Sequence, residues 1–301
     1  MRTKPSRFFR NYCKDQMSNS QSPIIEMRDV SHSYGESKTP ALDHINLRIA
    51  PGDFVAFIGQ NGAGKTTLAK MLNGTLIPTS GDVIVGGHNT REAGLDVLAR
   101  IVGFVYQNPD QQIFSKTVRD EVAFGPRCLG LDQAEIEKRV RHALELVGME
   151  KDAETYPFLL GRGQRQKLAV AAVISMSTSI LVVDEPTTGL DLRGTRSIMN
   201  LLCQWNQEGR SIIIITHDMN IVAEYARRTV VMAGSRILAD GPTRQVMADV
   251  EILKQAFLEP PQITRVMNAL RGRGFQFPKN VFTVSEFYEE FKKALTERRE
   301  P

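Results

Sequence analysis

The chain has 301 residues, 42% hydrophobic and 24% charged, an ordinary soluble balance with room for one large domain or two small ones. Its longest apolar runs, LAVAAVISM (168–176) and IIII (212–215), fall well short of the roughly 18 residues a membrane span needs, and no apolar stretch follows the basic N-terminus to make a secretory signal. The net charge of +4 sits in residues 1–23, five bases against one acid with 33 of each sign beyond, so no basic groove for nucleic acid is indicated, and three scattered cysteines without a CxxC pair fit a reducing cytosol.

Residues 1–23 read as a basic disordered leader, with Met17 and Met27 as alternative starts. The leader's bases with Phe8 and Phe9 also suit a loose contact with anionic lipid. From residue 24 the pattern turns to strands. IIEMRDVSHSY and ALDHINLRIA alternate apolar and polar positions, as half-buried antiparallel strands do. DFVAFIG (53–59) is continuously apolar, and DVIVGG (82–87) and IVGFVYQ (101–107) are further short strands.

Residues 117–165 read as helical. Asp132 and Glu135 make a D-x-x-E capping pattern, Ile136, Val140, Ala143, Leu144 and Val147 form one apolar face, and Gly148 is a stop. SILVVDE (179–185), a helix near 193–207, SIIIITH (211–217) and a hairpin over 230–241 follow. Buried strands alternating with helices predict an α/β fold with a mostly parallel sheet. Residues 251–301 are an appendix whose last helix opens with a T-x-x-E box at Thr283 and Glu286. Phe287, Phe291 and Leu295 share one face of that helix, which suits docking on its own domain or on another subunit.

GQNGAGKT (59–66) fits G-x-x-x-x-G-K-[ST] at every position, after a strand and before an apolar-periodic helix. Gly59, Gly62 and Gly64 let the backbone of Gln60, Asn61 and Ala63 curl with its N–H groups turned toward phosphate. The helix N-terminus adds positive potential, Lys65 reaches the outer phosphates, and the Thr66 hydroxyl ligates Mg²⁺. Thr67 completes the ATP-binding set. Asp184 ends an apolar strand, where a carboxylate can hold the metal's water shell, and Glu185 beside it can accept a proton from an attacking water or orient it. His217 ends the next apolar strand, where ligand sites of open sheets gather, and suits a γ-phosphate contact.

Together these residues resemble the ATPase domain of ABC transporters over about residues 24–245. The resemblance implies the P-loop ABC ATPase fold, with a mostly parallel core sheet, an antiparallel β subdomain and an α-helical signature subdomain at about 112–165. It implies Tyr34 as the adenine-stacking aromatic and Gln107 as the sensor of Mg²⁺ and γ-phosphate on a loop that meets a membrane subunit. Two such domains face head to tail, each ATP lying between one chain's phosphate loop and the other's signature, here Gly161, Arg162, Gly163 and Gln164, with Asp191 coupling the two sites.

YQNPDQQIFSKTVRDEVAFGP (106–126) further resembles the energy-coupling factor (ECF) transporter ATPases, which drive vitamin and transition-metal uptake. That family implies a second ATPase chain, hence a heterodimer, and a C-terminal extension (251–301) after an ATPase domain at 24–250, used for dimerisation. It also implies a membrane coupling subunit, a separate substrate-binding membrane subunit and a peripheral place on the cytoplasmic face of the cell membrane. The rival readings are the ATPase of a conventional ABC importer, a soluble ABC protein outside transport, and a poorly hydrolysing regulatory subunit.

One stretch departs from the family. Its signature is LSGGQ; this chain has LGRGQ, so Gly161 stands where a serine would meet the partner's γ-phosphate, and Arg162 stands where a glycine would. Arg162 either offers planar donors to phosphate, as an arginine finger does, or points to solvent and leaves the signature weakened.

Overall fold

A computed structural model describes residues 22–35, 39–275, 277–278 and 280–297, so the basic stretch 1–21, with Phe8 and Phe9, lies outside the described residues. In chain order the first half contains β1 (Ile25–His32), β2 (Leu42–Ile49), β3 (Phe54–Gly59), α1 (Lys65–Leu72), β4 (Ser80–Val85), β5 (His88–Asn89), α2 (Leu95–Ala99), β6 (Val102–Val105), α3 (Val118–Cys128) and α4 (Gln133–Val147). The second half contains α5 (Arg162–Ile174), β7 (Ile180–Asp184), α6 (Leu192–Gln207), β8 (Ser211–Ile215), α7 (Met219–Tyr225), β9 (Arg228–Ala233), β10 (Arg236–Pro242), α8 (Thr243–Ala248), α9 (Val250–Gln255), α10 (Gln262–Gly272) and α11 (Val284–Glu297).

The strands form two sheets. One is antiparallel in the order β2-β1-β4-β5, with alternating burial along β2 as its sequence pattern requires. The other runs β10-β9-β3-β8-β7-β6. Its inner pairs are parallel, and only the β9–β10 hairpin at one edge is antiparallel. Every residue of β3, β7 and β8 is buried, which explains their unbroken apolar sequences: helices cover one face of the parallel sheet, and α1 with the antiparallel sheet covers the other.

The α4 face is the one read from sequence, with Ile136, Val140, Ala143, Leu144 and Val147 buried, the Asp132 carboxylate accepting from the Glu135 amide at 2.9 Å, and Gly148 left-handed at the C-terminus. Two local expectations change. The helical run over 117–165 is broken: after Gly148 come 3-10 turns at Glu150–Asp152 and Pro157–Leu159, and α5 begins at Arg162. A left-handed glycine ends a helix, and Pro157 cannot donate to continue one. The strand expected at 82–87 spans Ser80–Val85 instead, because Gly86 and Gly87 both take positive φ and turn the chain.

The appendix is tied to the domain. Val281 and Phe282 are buried, and Phe282 joins the main core cluster with Leu253 and Ala256. Arg244 pairs with Glu286 at 2.6 Å, and Thr283 and Glu286 complete the expected box, each side chain accepting from the other's amide at 3.3 Å. Phe287 stacks on Phe291 with centroids 5.5 Å apart, and Phe277 extends the ladder. The side chain of Leu295 lies outside the described residues. Among the described residues no helix is long and apolar enough to cross a membrane.

Candidate functional site

The parallel strands β3, β6, β7 and β8 end along one edge of the sheet, and the loops leaving these ends carry Gly59, Gln107, Asp184 with Glu185, and His217. This is where open α/β sheets bind ligands. Register fixes the spacing: Asp184 lies opposite Ile215, and the Glu185 amide donates to the Ile215 carbonyl at 2.8 Å.

The loop after β3 is shaped by glycine where nothing larger fits. A β-carbon on Gly59 would stand 2.2 Å from the Met232 carbonyl oxygen, and one on Gly64 would stand 2.4 Å from that of Ala41, at φ of 149° and 98°. Helix α1 starts directly after Gly64 with no side chain capping it, so its first N–H groups stay open to an anion. Lys65 is buried, and its ammonium donates to the carbonyls of Gly59 and Gln60 at 2.7 and 2.8 Å. Burial draws its pKa down, against the pull of Glu185 and Asp184. The Thr66 hydroxyl donates to Asp184 Oδ2 at 3.1 Å. Burial pushes the Asp184 carboxyl above its ordinary pKa, with the Thr66 hydrogen bond opposing and Glu185 adding to the rise. A buried carboxylate beside a hydroxyl, with a cation's worth of charge still to be matched, is a donor set suited to a hard divalent ion.

Glu185 has a left-handed backbone, φ 50°, rare for a residue with a side chain. Its carboxylate is held from three sides. His217 Nδ1 lies 2.7 Å from one oxygen, and Thr216 and Thr188 donate to the other at 3.3 and 3.4 Å. The carboxylate is nearly buried at 11% exposure, whereas the His217 ring is 69% exposed. Thr188 and Thr216 were not singled out from sequence; their only signal is a hydroxyl residue close in sequence to Glu185 and to His217.

A cleft of about 300 Å³ holds Tyr34, Lys65, Thr66, Thr67, Gln107 and Asp184. Tyr34 is half-exposed, its hydroxyl 3.2 Å from that of Thr67 and its ring edge-on to His32. A second cleft of about 510 Å³ shares Asn61, Gln107 and Glu185 with the first and adds Gly59, Gln60 and His217, with Phe257 and Leu258 on its rim. The rim pair was not foreseen in sequence. Ala63 is buried beneath the loop, its amide on the Gln60 carbonyl at 3.1 Å.

The signature residues line neither cleft. Gly161 precedes α5 with an extended backbone and has no side chain to cap it; Gln164 reaches back to the Gly161 amide at 3.2 Å. Arg162 is exposed, and its side chain lies against Gly189. Asp191 caps α6, accepting from the Gly194 amide at 2.7 Å.

The family model described as "ABC transporter" matches residues 42–188. An energy-coupling factor transporter ATP-binding protein of Methanothermobacter thermautotrophicus is 41% identical over 270 residues, covering 89% of this chain and 86% of its own. A putative ABC transporter ATP-binding protein of Caldanaerobacter subterraneus is 44% identical over 252 residues, 84% of this chain, which spans only 44% of that relative's length. Among solved structures, cbiO1 of Clostridium perfringens, described as part of the ABC transporter complex cbiONQ, superposes with a TM-score of 0.71 at 35% identity, over 82% of this chain and 100% of that one.

Proposed function

This chain belongs to the ABC transporter ATP-binding proteins, in their energy-coupling factor branch, and we propose that it binds and hydrolyses ATP as a subunit of an ECF-type importer. The observation that carries this reading is the single sheet edge that gathers the phosphate loop, Asp184, Glu185 and His217, while Gly161, Arg162 and Gln164 stand apart and exposed. Such a chain holds its own nucleotide on one face and offers α5 to a nucleotide held by another chain.

In this reading the open N–H groups of α1 and Lys65 bind the phosphates, and Tyr34 stacks on the base. Thr66 and Asp184 hold Mg²⁺, with Gln107 beside them. When bound, the metal neutralises charge on the phosphate oxygens. Glu185 takes or orients a proton of the attacking water. Its tether to His217 Nδ1 leaves the other ring nitrogen for a γ-phosphate oxygen.

The partner chain is a second ECF-type ATPase with an intact signature, making an asymmetric heterodimer on the cytoplasmic face of the membrane. Exposed Phe291, stacked on half-buried Phe287, supports a dimerisation role for residues 251–301. Near the Gln107 segment, exposed Phe114 and Phe124 pack edge to face at 4.7 Å, and Tyr156 and Phe158 form another exposed pair. Exposed apolar clusters of this kind mark protein contacts, which supports docking of a membrane coupling subunit that recruits a separate substrate-binding membrane protein. The cargo is a vitamin or a transition-metal ion.

Purification of the tagged chain from membranes, with identification of its companions, tests this. A second ATPase carrying LSGGQ and two membrane proteins are expected. Recovery with a surface or periplasmic binding protein instead would overturn the ECF assignment. A homodimer of this chain that turns over ATP and supports uptake as well as the mixed complex would end the case for asymmetry.

A further inference from the structure

Arg162 has no carboxylate anchor among the described residues, unlike Arg165 one turn on, which pairs with Asp110 at 2.7 Å. A cation at the N-terminus of a helix is disfavoured by the helix dipole, and the contact that the Arg162 side chain does make is with backbone. That backbone is Gly189. A β-carbon built there would lie 2.9 Å from Arg162 Nε, 3.0 Å from Cζ and 3.2 Å from Cδ. The guanidinium thus covers a backbone that only glycine leaves bare, and Gly189 takes a φ of 78° that suits glycine. The neighbouring position repeats the contact, since a β-carbon on Gly163 would meet Leu190 Cδ2 at 3.3 Å.

The segment under Arg162 leads straight to the hydrolytic carboxylate. The Thr188 amide donates to the Glu185 carbonyl at 3.3 Å, and the Leu190 amide to that of Thr187 at 3.1 Å, which folds residues 185–190 into two linked turns. The Thr188 hydroxyl donates to Glu185 Oε2 at 3.4 Å. Three residues on, Asp191 anchors the segment to α6. Gly189 thus neighbours Thr188, whose hydroxyl is one of the three contacts on the Glu185 carboxylate and the longest of them.

We infer that Arg162 is a positioning residue for its own chain: it clamps the 185–191 segment to the first turn of α5, so that seating α5 on the partner's nucleotide adjusts Glu185 on this chain. The inference rests on the ATPase reading above and adds to it a link between the two nucleotide sites that runs through one exposed arginine. The planar guanidinium is what the contact needs, because it can lie flat on a peptide where an ammonium cannot.

A double-mutant cycle in the complex purified from membranes tests this, with Arg162→Gly, Gly189→Ala and both together, reading kcat and KM for ATP separately. Backbone strain from the alanine is the same in both backgrounds and cancels. Gly189→Ala alone should lower kcat with KM little changed. In the Arg162→Gly background the same alanine should cost at least about threefold less, since the colliding guanidinium is gone. Arg162→Lys should resemble Arg162→Gly, because charge without a plane does not clamp. Costs that simply multiply, or full turnover in Arg162→Lys, would overturn the inference; the second result would instead mark a charge contact with the partner's phosphates. Should Gly189→Ala not fold, the comparison of lysine with glycine at 162 decides alone. Glu185→Gln in the same complex separates the two levels: if it leaves turnover intact, the ATPase reading fails, whereas its loss with an additive cycle removes only the clamp.

Discussion

The two functional ends of this molecule are built in different ways. The cleft end is made of backbone: glycines pressed against the carbonyls of Met232 and Ala41, a lysine turned back on its own loop, and carboxylates fixed by strand register. The α5 end is made of a few exposed residues, Gly161, Arg162 and Gln164, at the start of one helix. The first is over-determined by its own fold and has every expected part. The second departs from the LSGGQ of the family it resembles and, in the function proposed above, would be completed by another molecule. The contrast teaches that residues fixed inside the fold and residues exposed at one helix start are constrained differently: a β-carbon at Gly59 or Gly64 meets a backbone carbonyl, whereas one at Gly161 meets only the Gln164 side chain, at an ordinary 3.8 Å.

The comparison breaks most sharply at Glu185. Glu185→Gln should bind ATP normally and hydrolyse it about 10²–10⁴-fold more slowly, the range for a lost general base; nucleotide titration beside steady-state turnover checks both halves. Lys65→Ala should act on binding, weakening ATP roughly 10- to 100-fold, as loss of a charged hydrogen bond of about 1.5–3 kcal/mol implies. Equal loss of binding in both variants would dissolve the division of labour within the cleft. Gly161→Ser sharpens the contrast from the other end. It restores a hydroxyl for the partner's phosphate and a cap for α5, and should raise turnover of the mixed complex by up to about tenfold while leaving this chain's own ATP affinity unchanged.

A smaller effect follows from Asp184. Its carboxyl is raised by burial, and only the ionised form holds a cation. On acidification Mg²⁺ affinity should therefore begin to fall at a pH where an ordinary aspartate is still charged, by at most tenfold per pH unit. In the metal-free protein the sign is opposite: the buried charge costs stability as pH rises through the raised pKa. Calorimetric Mg²⁺ titrations across pH, with Asp184→Asn as the reference, measure the first. The smallest effect is expected at the appendix. Deleting it would also remove Phe282 from the main core, a loss of about 3–5 kcal/mol if it follows other buried phenylalanines. Phe287→Ser with Phe291→Ser is the cleaner probe, and should weaken the dimer about 2- to 10-fold, from about 0.5–1.5 kcal/mol of aromatic contact, as read by light scattering. Unchanged dimer mass would make that face intramolecular packing.

Much of the cleft was legible because its chemistry is written in consecutive residues. GQNGAGKT carries its own geometry, and VVDE and IIIITH end buried strands whose apolar runs announce them. The residues that orient Glu185 were not legible. Thr216 and Thr188 reach its carboxylate only once two strands pair and a loop folds back, and hydroxyl residues near strand ends are common. The left-handed backbone of Glu185 leaves no trace in composition. Arg162 stood out as a departure, but its contact with Gly189 depends on the packing of α5 against a segment 27 positions away, which no local pattern encodes. Phe282 sits between a turn and an amphipathic helix, so periodicity pointed to the helix and missed the anchor.

The pairing of β3 bears on how the chain comes to be able to bind anything. Phe54–Gly59 joins Ser211–Ile215 on one side and Arg228–Ala233 on the other, and both neighbours are made more than 150 residues later. Pairings so distant in sequence are slow to close, since loop entropy is lost before the contact forms. On the ribosome, at about 5–20 residues per second, the glycine loop emerges many seconds before the Met232 carbonyl that shapes Gly59. During that interval its motif is present in full, yet a hydrophobic strand stands unpaired at both edges. Nucleotide binding is thus among the last properties the nascent chain acquires, and ATP can select only molecules whose C-terminal half has already folded.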